Sequence, residues 1–247
     1  MRKILLYISL FLNLLFIAAL IWSVMRYGGL RAVIQKLTNP GVVVNYQNQK
    51  AMYAEFPVPP GAIVFLGNSL TEAGQWAEWF GSPVIYNRGI PGDHCDGIRE
   101  RLTVALGPEP QAVFLMAGIN DLAYHDPQTV VKKYEALVEE IHTQHPAARL
   151  YLLSILPVNN KAWYVPIDNQ AIDEVNAAIR KLAEKLKVPY VDLHQKMAGS
   201  DGQLRKELTV DGVHLTAEGY KIWLEGIRMM VETELANSQQ QKTRDDQ

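Results

Sequence analysis

Gly61-Ala62-Ile63-Val64-Phe65-Leu66-Gly67-Asn68-Ser69-Leu70-Thr71-Glu72 is the stretch on which the reading of the fold turns. An apolar run rich in β-branched and aromatic residues enters Gly-Asn-Ser and then a segment with helix-start chemistry, so it reads as buried strand, tight turn and helix. Ser69 therefore falls at the carboxyl end of a strand, the edge of an open α/β sheet where ligands bind, beside the free N–H groups of the next helix. Two roles are open to it. A hydroxyl there can be a nucleophile, and serine is equally a common N-cap.

The same alternation continues outward. Apolar runs at 84–86, 113–116, 150–155 and 190–193 predict four more strands, and helical patterns at 71–80, 93–106, 127–145, 168–187 and 217–235 lie between and after them. Regular alternation implies right-handed crossovers, hence an α/β fold with a five-stranded parallel sheet covered on both faces. The domain is expected over 61–236, with a polar, disordered tail at 237–247. All strand-to-helix loops then open at one edge, which makes neighbours of Ser69 and the loops at 87–92, 118–121 and 157–166.

The 247 residues, 48% hydrophobic with a formal charge of -2, suit one such domain of about 200 residues plus an extra segment. Scattered charge without a basic stripe excludes a nucleic-acid binder. Cys95 is the only cysteine, which excludes an intrachain disulfide and a Cys-rich zinc site. The composition sets no oligomeric state.

After Met1-Arg2-Lys3, residues 4–25 carry no charge. As a helix rising ~1.5 Å per residue they could cross a ~30 Å hydrocarbon core, with Tyr7 and Trp22 as interfacial aromatics. The run exceeds the roughly 7–15 residues of a signal peptide, and Ile21-Trp22-Ser23-Val24-Met25 is a poor cleavage site. The expectation is an uncleaved transmembrane anchor at 1–25. Arg2 and Lys3 adjoin the run more closely than Arg26, Arg31 and Lys36, which favours the amino terminus inside and the domain outside the cytoplasm. Residues 26–60 read as a juxtamembrane helix, amphipathic at 30–37, and a connector interrupted by Asn39-Pro40-Gly41 and closed by Pro57-Val58-Pro59-Pro60.

A serine nucleophile needs a base, a group to orient the base, and donors for an oxyanion. His142 and His145 end a charged helix and read as solvated. His94 and His125 lie on active-edge loops without a carboxylate at fixed spacing, and His194 after the fifth strand reads as structural. His214 differs, because in Val210-Asp211-Gly212-Val213-His214 a carboxylate precedes the imidazole by three residues in a turn, which puts both on one side. A capping turn with an incidental histidine fits the same residues. Gly89 can bring a backbone N–H close to substrate, and Asn120 can point its amide into the same space or serve a turn. Cys95 beside His94 is poorly placed as an alternative nucleophile, since helix neighbours point about 100° apart.

Together these pieces resemble the SGNH, or GDSL-like, hydrolase superfamily. Gly67-Asn68-Ser69-Leu70 is similar to its serine block, Asn87-Arg88-Gly89 to its glycine block, Gly118-Ile119-Asn120-Asp121 to its asparagine block, and Asp211-Gly212-Val213-His214-Leu215 to its Asp-x-x-His block. All four fall in family order, and the likeness is greatest to platelet-activating-factor acetylhydrolase catalytic subunits and related bacterial acylhydrolases. The resemblance implies a flavodoxin-like three-layer sandwich, Ser69 as nucleophile, His214 as base, Asp211 as its orienter, and an oxyanion hole from the Ser69 and Gly89 N–H groups and the Asn120 amide. It implies no metal and no cofactor. One departure is Asn68, where the family's usual residue is Asp. The sequence Gly67-Asn68-Ser69-Leu70-Thr71 also does not fit the G-x-S-x-G elbow.

The expected activity is hydrolysis of short-chain esters, including O-acetyl groups on carbohydrate, through an acyl-enzyme. A lysophospholipase or thioesterase is the alternative that an anchor would suit, and a non-catalytic membrane-tethered binding module is the alternative of another class. Tyr124, His125 and Trp163-Tyr164 are candidate pocket residues. Trp76 and Trp79 are candidates for a pocket or for packing.

Overall fold

A computed structural model of the chain describes residues 2–26 and 41–245. Two compact units divide at Asn45/Tyr46. In the first, helix α1 (Arg2–Arg26) is continuous, and its described side chains from Tyr7 to Trp22 are exposed on all sides. Among the described residues no helix is long and apolar enough to cross a membrane, so the expected transmembrane span is not borne out. The expected amphipathic helix at 30–37 lies outside the described residues.

The second unit begins at Tyr46, inside helix α2 (Gly41–Glu55). Its sheet has five parallel strands, β1 (Ile63–Gly67), β2 (Ile85–Gly89), β3 (Ala112–Met116), β4 (Arg149–Leu153) and β5 (Tyr190–Val191), in the order β2-β1-β3-β4-β5. That is the flavodoxin-like order, whose switch point lies where the chain turns from β1 toward both neighbours. β1 and β3 are buried at every position because each face of the sheet is covered.

Alternation along the strands sends Phe65, Phe114 and Tyr151 to one face, where their rings stack in register at 4.9 and 4.3 Å. On that face lie α4 (Trp76–Phe80) and, after a short helix α10 (His194–Met197), the carboxyl-terminal helix α11 (Ala217–Asp245). Trp76 stacks on Phe65 at 4.2 Å and meets Trp223 at 5.0 Å, and both tryptophans are 1% exposed. Trp76 is therefore a packing residue. Helices α5 (Cys95–Glu100), α8 (Pro127–Gln144) and α9 (Asn169–Leu186) pack together and bury Ile98, Leu137, Val138, Ile172 and Val175.

Three boundaries differ from expectation. The helix read at 71–80 is two pieces, α3 (Ser69–Glu72) and α4, because Asn87 Nδ2 donates to the carbonyls of Thr71, Glu72 and Gly74 and holds the chain open between them. The helix read at 93–106 breaks at Arg101 into α5 and α6 (Leu102–Leu106). Helix α11 continues to Asp245, through most of the expected disordered tail.

Candidate active site

The catalytic edge starts with Asn68, which is buried and caps α3 by accepting the Leu70 N–H at 3.0 Å. Ser69 is thus the first helical residue, its N–H among those that a helix start leaves without an intrahelical partner. The Asn68 Nδ2 has no partner among the described residues.

Residue 214 reaches this point from the far end of the chain. An isolated bridge between Thr209 and Leu215 closes the turn, and Thr209 Oγ1 donates to the His214 carbonyl at 2.8 Å and accepts the Gly212 N–H at 2.9 Å. Gly212 adopts φ +92, which a side chain rarely tolerates, and its carbonyl accepts the Asn159 N–H at 2.8 Å. The turn is thereby fixed to the loop after β4. Asp211 Oδ1 accepts the N–H groups of Val213 and His214 at 3.0 and 2.8 Å, and Oδ2 lies 2.6 Å from His214 Nδ1. His214 Nε2 lies 3.0 Å from Ser69 Oγ.

The tautomer follows from chemistry. An ionised carboxylate only accepts, so the proton sits on Nδ1 and Nε2 offers its lone pair to the serine hydroxyl. Partial burial alone would push the Asp211 carboxyl up, but the His214 N–H, the His214 ring and the Val213 N–H outweigh it and hold the group below the usual carboxylate range. The His214 and Asp211 side chains are 45% and 50% exposed, so the site is open.

Asn120, in helix α7 (Ile119–Leu122), donates through Nδ2 to the Asp93 carbonyl at 2.7 Å. An amide has two N–H bonds, and this contact uses one. Gly89 ends β2 in register with Gly67. A methyl group there would sit 2.3 Å from the Glu72 nitrogen and 2.7 Å from the Asn68 oxygen. Its N–H already donates to Asn87 Oδ1 at 3.0 Å.

The other candidates go elsewhere. His94 Nδ1 accepts the Gly97 N–H at the start of α5. Cys95 is fully buried, and burial with the neighbouring Asp121 carboxylate pushes its thiol well up, so it offers no thiolate. His125 and His142 are exposed, and burial lowers the pKa of His145 and of His194, whose Nε2 lies 3.4 Å from Asp173. Tyr164 is 90% exposed and Trp163 lies against Gly212. Among the described residues no group of three His, Cys, Asp or Glu side chains gathers to hold a metal.

Several working residues were missed. Asn87 staples α3 to Gly89, and Asp121 accepts the Cys95 N–H at the start of α5. Arg101 and Asp93 form a buried ion pair of 2.6 Å. Arg101 had a signal: with Ile98, Leu102 and Ala105 it occupies an apolar stripe of helical spacing, where a charge needs a buried partner.

A flavodoxin-like sheet with Ser, His and Asp hydrogen-bonded in series at its carboxyl edge defines the class of α/β hydrolytic proteins that are not built on the G-x-S-x-G elbow. Residues 65–222 match the GDSL-like Lipase/Acylhydrolase family, and the chain belongs to that family.

The rat platelet-activating factor acetylhydrolase IB subunit alpha2 is 27% identical over 165 residues, 64% of this chain and 70% of that protein. An N-acylneuraminate cytidylyltransferase of Escherichia coli is 28% identical over 127 residues, 51% of this chain but only 28% of the longer protein. Among solved structures, a Streptococcus pneumonia protein described as a platelet activating factor superposes with a TM-score of 0.72 at 28% identity, covering 81% of this chain and 98% of its own.

Proposed function

We propose that the protein is a serine esterase that cleaves short-chain esters, including O-acetyl groups on carbohydrate, through an acyl-enzyme. The observation that carries this reading is the Asp211–His214–Ser69 series at 2.6 and 3.0 Å, drawn from opposite ends of the domain. Ser69 Oγ attacks the ester carbonyl as His214 Nε2 takes its proton. The Ser69 N–H and the second Asn120 N–H stabilise the oxyanion, and the Gly89 N–H joins by sharing itself between Asn87 and substrate. Collapse breaks the C–O bond, and the proton on Nε2 passes to the leaving alcohol. Water, deprotonated by the same nitrogen, then attacks the acyl-serine and regenerates the hydroxyl.

An open site supports a small acyl group on a large alcohol, and the relatives named as acetylhydrolases support acetyl. Exposed Tyr124 and Tyr164, on loops that open at this edge, suit stacking on a sugar. The test is fluorophosphonate labelling of the wild type and Ser69→Ala, followed by a chain-length series of p-nitrophenyl esters beside acetylated xylo-oligosaccharides. Labelling that persists in Ser69→Ala rejects the nucleophile; best turnover on long acyl chains rejects the substrate class.

A second reading, a lysophospholipase or thioesterase at a lipid surface, is favoured by the exposed apolar side chains of α1, such as Phe11, Leu14, Phe16 and Ile17. The same side chains support attachment of the protein to a membrane through α1, and the charges of Arg2 and Lys3 beside the apolar run support a domain outside the cytoplasm. Membrane fractionation of the full chain against a chain lacking residues 2–26 tests the attachment. Protease protection in intact cells tests the side.

A further inference from the structure

Arg101 is one of the most deeply buried charged groups of the domain, its side chain 0% exposed beside an Asp93 side chain 1% exposed. Burying such a pair is a poor way to gain stability, since apolar residues of like volume commonly do as well. Its contacts have another pattern. Nε donates to Asp93 Oδ2 at 2.6 Å, while Nη2 donates to the Gly67 carbonyl at 3.1 Å and the Arg88 carbonyl at 3.0 Å. Gly67 ends β1 two residues before Ser69, Arg88 directly precedes Gly89, and Asp93 is the residue whose carbonyl holds the Asn120 amide. One planar fork thus touches the two segments that carry the Ser69 and Gly89 donors and, through Asp93, the residue that holds the Asn120 amide.

Resting on the esterase reading above, we infer that Arg101 is the positioning residue of the oxyanion hole: it sets the spacing between the Ser69 N–H, the Gly89 N–H and the Asn120 amide without touching substrate. Donors aimed at developing charge act only when correctly placed, and a misplacement of about 1 Å can cost on the order of 100-fold. The effect belongs to the transition state, so it falls on kcat rather than on KM.

Arg101→Lys separates charge from geometry. The ammonium stays beside Asp93, but donors radiating from one nitrogen cannot reproduce the fork. The expected result is a kcat lowered about 10-fold or more, with KM unchanged within about twofold. In the Asn120→Ala background the same substitution should cost much less, because one of the donors it positions is already gone. A folded Arg101→Lys enzyme with wild-type kcat, a loss confined to KM, or full additivity with Asn120→Ala overturns the inference. If Arg101→Lys does not fold, Asp93→Ala removes the carboxylate that anchors the fork while leaving the carbonyl that holds Asn120, and it carries the same expectation; wild-type kcat in that variant overturns the inference. A wild type without Ser69-dependent turnover instead removes the esterase reading itself.

Discussion

Ser69 Oγ and His214 Nε2 lie 3.0 Å apart although 145 positions separate them in the chain. The serine arrives on the turn after the central strand β1, and the histidine on a turn pinned by Thr209 and by the loop after β4. Each turn has its own backbone supports, so each can be perturbed separately.

Asp211→Asn keeps the shape of the turn but loses the charge that selects the Nδ1–H tautomer. Turnover should fall by roughly 10²–10⁴, the upper end being that of a fully buried aspartate and the open position here favouring the lower. Steady-state kinetics with a p-nitrophenyl ester measures it. Wild-type kcat would remove Asp211 from the series.

The same carboxyl has a folded pKa below its unfolded value of about 3.9. As pH falls, the unfolded chain takes the proton first. The stabilisation is therefore fully present above about pH 4 and is lost as pH drops through the folded pKa. Melting temperatures of wild type and Asp211→Asn should differ at neutral pH and converge below about pH 4. A gap that widens with acid would contradict the hydrogen bonds assigned to Asp211.

Asn120→Ala should lower kcat by about 10²–10³ with little change in KM, through loss of an oxyanion donor. The substitution also frees the Asp93 carbonyl, so a modest drop in stability should accompany it. Full activity in the purified variant would dismiss the oxyanion role.

Gly89→Ala forces a methyl group against backbone, 2.3 Å from the Glu72 nitrogen, with no flexible side chain to yield. Overpacking of this kind destabilises by about 1–3 kcal/mol, readable by urea denaturation. Trp76→Ala empties the stack on Phe65 and drops the Nε1 bond to the Thr71 carbonyl, and should cost about 3–5 kcal/mol. Unchanged midpoints in either variant would place these residues outside the packed core.

Strands β1, β3 and β4 were legible because each is a short apolar run, whereas β2 shows only its first apolar residues before Asn87, Arg88 and Gly89, and the loops at the strand ends carry the residues that the four sequence blocks pick out. The broken helices were not, because the agents that break them act across the fold: Asn87 takes carbonyls from a segment 13–16 residues away. Asp211 and His214 could be paired locally by their spacing, whereas their meeting with Ser69 rested on the blocks occurring together. The engagement of the Gly89 N–H by Asn87 was invisible, since period and composition say nothing of where a side-chain oxygen points.

The segment ahead of β1 reads as a spacer, with Pro57-Val58-Pro59-Pro60 inviting a cut before Gly61. Yet Tyr53 Oη donates to the Gly89 carbonyl at 2.8 Å, the Arg88 guanidinium lies 4.4 Å over the Tyr53 ring and donates to the Phe56 carbonyl, and Val58 is 1% exposed. Trimming a recombinant protein at the proline cluster would pull this clasp from the rim of the reaction centre. An inert truncated preparation would then be an injured one, and should not be mistaken for proof that the protein has no chemistry.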